Sequence, residues 1–128
     1  MPTWPGTTGD VVTSTMWNGL PAFTVQTAKT ADYTAASGDE YQQLVPMNKA
    51  TAIAFKIPTD ATYNFAIGTV ITVLNIGVGD CTISAVTSGT TTILSAGAVA
   101  ASPVVAQYKS AACIKTAANA WYVVGAIA

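Results

Sequence analysis

The chain predicts an all-β fold, an antiparallel β-sandwich or jelly-roll-like domain with a short irregular N-terminal arm, and three observations carry that expectation. Residues 68–92, GTVITVLNIGVGDCTISAVTSGTTT, alternate apolar β-branched runs with glycine-bearing turns and leave no window for a helix. Residues 51–57 alternate strictly, with Ile53, Phe55 and Ile57 on one face and Ala52, Ala54 and Lys56 on the other, which is the period of a half-buried strand. From residue 31 onward, turn residues recur at a spacing that fits about seven to nine short strands.

Residues 1–30 form the arm. They hold Pro2, Pro5 and Pro21, a Gly6-Thr7-Thr8-Gly9 turn, and Trp4 and Trp17 without a periodic pattern. Such a segment cannot build a core alone, yet its large aromatics gain from burial. An arm laid across a neighbouring subunit reconciles the two, and Trp4, Trp17, Asn18, Leu20 and Phe23 are the candidate partner-binding residues.

The domain occupies residues 31–128. Its first hairpin is expected between residues 33–36 and 40–47, about Ser37-Gly38-Asp39, where glycine takes a positive φ without penalty. The strand at 51–57 stops at Pro58. Residues 68–76 are apolar on both faces, as a central or intersubunit strand would be, and Gly77-Val78-Gly79-Asp80 turns the chain. Residues 81–86 and 90–94 are expected to pair around Ser88-Gly89. Residues 107–116 and 121–127 then close the domain around Ala117-Ala118-Asn119-Ala120.

Composition narrows function by exclusion. The sequence has no histidine and no arginine, five lysines and six acids, so charged residues are 9% against roughly 25% in an average soluble chain. A net charge of −1 with scattered lysines offers no basic stripe for nucleic acid. The apolar run at 96–106 is short and broken by Ser102 and Pro103, so no membrane span is expected. The first ten residues lack the basic and apolar regions of a secretory signal. Cys81 and Cys113 are expected as buried thiols in a reducing compartment, with a disulfide as the alternative.

Catalytic material is scarce as well. Without histidine, a triad or a histidine metal site cannot be built, and the two cysteines lack zinc-ligand spacing. Asp39 and Glu40 are adjacent and expected to be solvated on a turn, Asp60 and Asp80 to be isolated in loops, and Lys115 to be a solvated charge at a sheet edge. Trp121 and Tyr122 alternate in the last strand, so at least one of them is expected to pack in the core, with stacking on a sugar as the alternative. The glycines at 77, 79, 89 and 97 form no phosphate loop and are turn residues. No enzyme activity, cofactor or metal is expected. The low charge and the doubly apolar stretch at 68–76 instead point to a homotrimer, in which neighbouring subunits cover apolar surface.

An ordered series of short motifs adds a resemblance. Tyr33-Thr34, Val45 with Met47-Asn48, Ala52-Ile53 with Ile57-Pro58, Gly68-Thr69-Val70-Ile71 with Val73, Gly77-Val78-Gly79, Thr82-Ile83, Gln107-Tyr108, and Lys115 with Trp121, Val123 and Gly125 resemble a β-sandwich module of tailed-bacteriophage virion proteins. That module recurs at the ends of tail fibres and spikes and in capsid decoration (cement) proteins. Asp80-Cys81 and the long stretch 39–43 depart from its usual pattern. The resemblance implies a virion protein made in the host cytoplasm, bound to itself and to the phage major capsid protein, that stabilises the head shell. The alternative is a tail-fibre or head-fibre module contacting a host-surface glycan or protein receptor. A receptor fibre needs a long shaft, and this chain shows about thirty residues before its domain and no heptads, which favours decoration.

Overall fold

A computed structural model describes residues 24–41 and 44–128. Trp4, Trp17, Asn18, Leu20 and Phe23 therefore lie outside the described residues, as does most of the expected arm. The strands are β1 (Tyr33–Thr34), β2 (Leu44–Met47), β3 (Ile53–Ile57), β4 (Val70–Asn75), β5 (Cys81–Ala85), β6 (Thr92–Ser95), β7 (Val104–Val105), β8 (Ser110–Ala117) and β9 (Ala120–Gly125). The described residues contain no helix, and so none long and apolar enough to cross a membrane.

The all-β expectation holds, in two mixed sheets ordered β1-β3-β5-β7 and β2-β4-β8-β9-β6. From β1 to β8, each strand lies in the sheet opposite its predecessor. Two changes of sheet return the chain to the first sheet in its original direction, so β1 pairs with β3, β3 with β5 and β2 with β4, all in parallel. Val25 and Lys29 bridge to Leu44 and Met47 in the same sense and extend the winding along the edge of β2. Antiparallel pairing enters at β4/β8, β5/β7 and β8/β9, while β6/β9 is parallel.

This arrangement corrects the antiparallel expectation and two of the expected hairpins. Residues 33–34 pair with β3 and residues 44–47 with β4, so the turn at Gly38, with φ +102°, links different sheets. Likewise β5 pairs with β3 and β7, whereas β6 pairs with β9. Turn residues fix where a chain reverses. They do not fix whether the returning strand pairs with its predecessor or joins the other sheet. The closing hairpin β8/β9 forms as expected, with Asn119 at φ 50° in its turn and an irregularity between Lys115 and Ala117.

Both sheets contribute to one core. Val45, Met47, Ile71, Val73, Cys113, Trp121 and Val123 come from the five-stranded sheet, and Ile53, Phe55, Ile57, Cys81, Ile83 and Val105 from the other. Of the pair Trp121 and Tyr122, Trp121 is the one in the core, edge-on to Phe65 at 5.7 Å, and Phe65 meets Tyr63 at 4.5 Å. Asn75 ties the sheets together: its amide donates to the carbonyls of Gly79 (2.9 Å) and Val105 (2.8 Å) and accepts from Gly77 N–H (3.0 Å). Cys81 and Cys113 are free and buried, and burial pushes the Cys81 thiol up to about 11 and raises Cys113 too. Gly77 and Gly79 are required by close backbone approach, because a Cβ would lie 2.3 Å from Lys49 N and 1.8 Å from Thr51 O respectively.

Candidate assembly surface

The polar groups decide what chemistry is open. Lys115 follows Ala111 and Cys113 at two-residue intervals along β8, so its stem enters the core side, and it is 1% exposed. This corrects the expectation of a solvated edge charge. Its three N–H donors reach Asp60 Oδ1 (2.8 Å), Asn64 Oδ1 (2.8 Å) and the Phe65 carbonyl (2.7 Å), which accounts for every proton of the ammonium. Asp60 is thus not isolated. Its other oxygen accepts Asn119 N–H (2.9 Å), while Asp60 N–H donates to Asn119 Oδ1 (2.8 Å). Burial alone would raise the Asp60 pKa, but the hydrogen bonds from Lys115 and Asn119 and the lysine charge outweigh it and hold the carboxyl below its ordinary value. The cluster borders an open cavity of about 350 Å³ lined by Asp60, Asn64, Phe65, Ile67, Lys115 and others. Its charges are mutually satisfied and clamp residues 60–65 against the β8/β9 hairpin.

Asp39 and Glu40 are also not merely solvated. Asp39 is 4% exposed and accepts from Gln26 Nε2 (2.7 Å), Tyr33 Oη (2.8 and 2.9 Å) and Ala36 N–H (2.8 Å). Desolvation, then the hydrogen bond and charge of Asp39, push Tyr33 up to about 12. Glu40 accepts from Gly38 N–H (2.6 Å) and Tyr63 Oη. Burial would raise its pKa, but those bonds leave it below the ordinary carboxylate value. These acids close turns. Among the described residues, no cluster of three His, Cys, Asp or Glu side chains is placed to hold a metal.

The most distinctive surface is the outer face of the five-stranded sheet. Register places Val70, Ile114, Tyr122 and Leu94 in one row across β4, β8, β9 and β6. Leu44, Thr72, Ala112 and Val124 form the next row, and Pro46, Leu74 and Ser110 a third. None of the three rows carries a charge. Leu94, Tyr122 and Val124 are 43%, 46% and 49% exposed and flank a shallow groove of about 270 Å³ at the β9/β6 edge. The other sheet differs, since its outer rows are Thr34, Lys56 and Ser84, and Ala54, Thr82 and Val104.

This face suits association, because covering half-exposed Leu94, Tyr122 or Val124 gains about 1 kcal/mol each from apolar burial and desolvates no charge. The doubly apolar run at 68–76 signals the β4 part of it. Tyr122 and Val124 were hidden behind the stronger core signal of Trp121 and Val123 in the same strand. On the loops, Tyr41 and Tyr108 are 80% and 77% exposed. Comparison with family models, curated proteins and solved structures finds no match for the chain.

Proposed function

We propose that the chain is a structural protein of a tailed-bacteriophage virion. In this reading it is a capsid decoration (cement) protein that assembles as a homotrimer on the major capsid protein and stabilises the head shell. Its two sheets are read as the layers of a β-sandwich. The observation that carries the assembly part is the charge-free outer face of the five-stranded sheet in a chain with 9% charged residues, a surface suited to being covered. The motif series from Tyr33 to Gly125 supports the virion setting by resemblance. No catalytic step or cofactor enters, and the carboxylates of Asp39, Glu40 and Asp60 serve as hydrogen-bond acceptors within the fold.

A cap that joins neighbouring capsomers adds binding free energy to the assembled shell and stabilises it by mass action and multivalency. Particles lacking the protein should release their genome at lower temperature while adsorbing to cells normally, and density for the protein should sit on the head. A second reading, receptor binding by a fibre tip, draws on the exposed loop tyrosines Tyr41 and Tyr108. Location at the tail tip, or loss of adsorption with an intact head, would favour it over decoration.

A further inference from the structure

The geometry points to a self-formed cross-link: the Lys115 amine condenses with the side-chain amide of Asn64 to give an isopeptide bond, and Asp60 carries the protons. The inference goes beyond the assembly reading and does not depend on it. The hydrogen-bonded cluster around Lys115 is then the freshly folded state, from which the amide forms. The reaction happens once per chain and gives no activity toward an outside substrate.

Three reactive groups meet with little freedom. Lys115 Nζ lies 2.8 Å from Asn64 Oδ1 and 2.8 Å from Asp60 Oδ1, and the Phe65 carbonyl at 2.7 Å completes its set. With a carbonyl bond of about 1.2 Å, Asn64 Cγ stands about 3–4 Å from Nζ, close to the separation of a near-attack pair. Asn64 is exposed, and the second side-chain torsion of asparagine is broad, so a small turn brings the face of the amide toward Nζ. The fold holds the two residues together across 51 positions of sequence. Gly68 N–H donates to the Lys115 carbonyl (2.7 Å) and Lys115 N–H to the Thr69 carbonyl (2.9 Å), while Tyr63 packs edge-on against Phe65 and donates to Glu40.

The surroundings suit an amine nucleophile. Lys115 is 1% exposed, and register sets it opposite Trp121, also 1% exposed, so water is kept from Nζ. Apolar walls of this kind turn a lysine into a nucleophile. Asn64 borders the open cavity of about 350 Å³, which gives departing ammonia a way out. Asp60, the other side-chain carboxyl derivative in reach, is held ionised and offers no such leaving group. In the step, Asp60 Oδ1 takes one proton from the ammonium, and the freed lone pair adds to Asn64 Cγ as the carbonyl π pair moves to Oδ1. Asp60 passes its proton to Nδ2 and takes a second from Nζ. The Cγ–Nδ2 bond breaks with its electron pair, the carbonyl re-forms, and ammonia leaves with that second proton as ammonium. Nothing is oxidised or reduced, and the product amide keeps one N–H.

Mass spectrometry of the intact wild-type chain, held folded for a week, tests the inference. The expected mass is about 17 Da below that of the sequence, the loss of one ammonia. Exhaustive trypsin digestion of the denatured protein should leave Lys115 uncut and join residues 57–109 to residues 110–128 through Asn64. This branched peptide separates the cross-link from an asparagine cyclised elsewhere. Asn64→Ala, a change at an exposed position, should keep its full mass and be cut after Lys115. Asp60→Ala, if near-UV circular dichroism of buried Trp121 shows it folded, should form the link at least about 100-fold more slowly, the effect of losing a positioned acid–base group. Wild type at full mass and cut after Lys115 overturns the inference. So does a loss of about 18 Da with a link through Asp60, a link that persists in Asn64→Ala, or a folded Asp60→Ala that reacts at the wild-type rate. If Asp60→Ala does not fold, the wild type and Asn64→Ala decide alone.

Discussion

Replacing Lys115 by Met keeps most of the buried stem and removes the ammonium, which isolates the worth of its three hydrogen bonds. Asp60 Oδ1, Asn64 Oδ1 and the Phe65 carbonyl would each lose a donor at 2.7–2.8 Å. Breaking a buried ion pair from one side costs about 3–5 kcal/mol. Asp60 is 18% exposed and Asn64 is open to solvent, so water recovers part of their loss and the expected cost falls to about 3 kcal/mol, set largely by the Phe65 carbonyl and the carboxylate. For a chain of this size that is roughly 10 °C in Tm. Urea unfolding followed by tryptophan fluorescence should show a lower midpoint at unchanged slope. A double-mutant cycle with Asp60→Asn should show a coupling of at least about 1 kcal/mol. A Lys115→Met protein within about 0.5 kcal/mol of wild type, the range of an ordinary surface substitution, would refute the clamp.

Three further outcomes follow from the same geometry. The Asp60 and Glu40 pKa values are held below their unfolded values, so their contribution is complete above about pH 4–5 and is lost as pH falls through the folded values. Thermal melts should therefore weaken on the acid side, and Asp60→Asn should flatten that limb. Gly79→Ala places a Cβ 1.8 Å from Thr51 O and should cost about 2 kcal/mol or more through forced backbone displacement, whereas Gly89→Ala, with nothing within 4 Å, should be neutral or slightly stabilising in chemical denaturation. Cys81 and Cys113 are buried, with thiol pKa values raised by burial, so a thiol reagent should react with the native protein slowly and with both after unfolding, and Tm should not change with reductant.

Alternation makes some elements readable in the sequence alone. Ile53, Phe55 and Ile57 marked the face of β3, and the runs 107–116 and 121–127 around Ala117-Ala118-Asn119-Ala120 marked the last hairpin, because both signals are local. Pairing partners were not local. The turns at Gly38 and Ser88-Gly89 looked like hairpin turns yet carry the chain between sheets, and nothing in a reversal of direction distinguishes the two results. Lys115 shows a different limit: its phase with Ala111 and Cys113 already pointed inward, but its charge suggested the surface, and the compensating acceptors at 60–65 lie some fifty residues earlier. Asp39 was hidden in the same way, since its partners Gln26 and Tyr33 satisfy it only once the winding brings them together.

The alternation of strands between sheets sets an order of events when the chain folds. Among the described strands, β8 and β9 are the one consecutive pair hydrogen-bonded to each other, so this hairpin closes with little loss of chain entropy. The parallel pairs instead join residues such as Tyr33 with Phe55 and Ile53 with Cys81, and those loops must close before any ladder forms. Such long-range pairing predicts slow folding for the length, with β8/β9 expected to form first, β4 to dock on β8, and β1 to pair late. Substitutions in the Ala118-Asn119 turn should then slow refolding, whereas those in β1 should chiefly hasten unfolding. The charge-free face shares β4, β8 and β9 with that unit, so it is expected to take shape before β1 and β3 have paired.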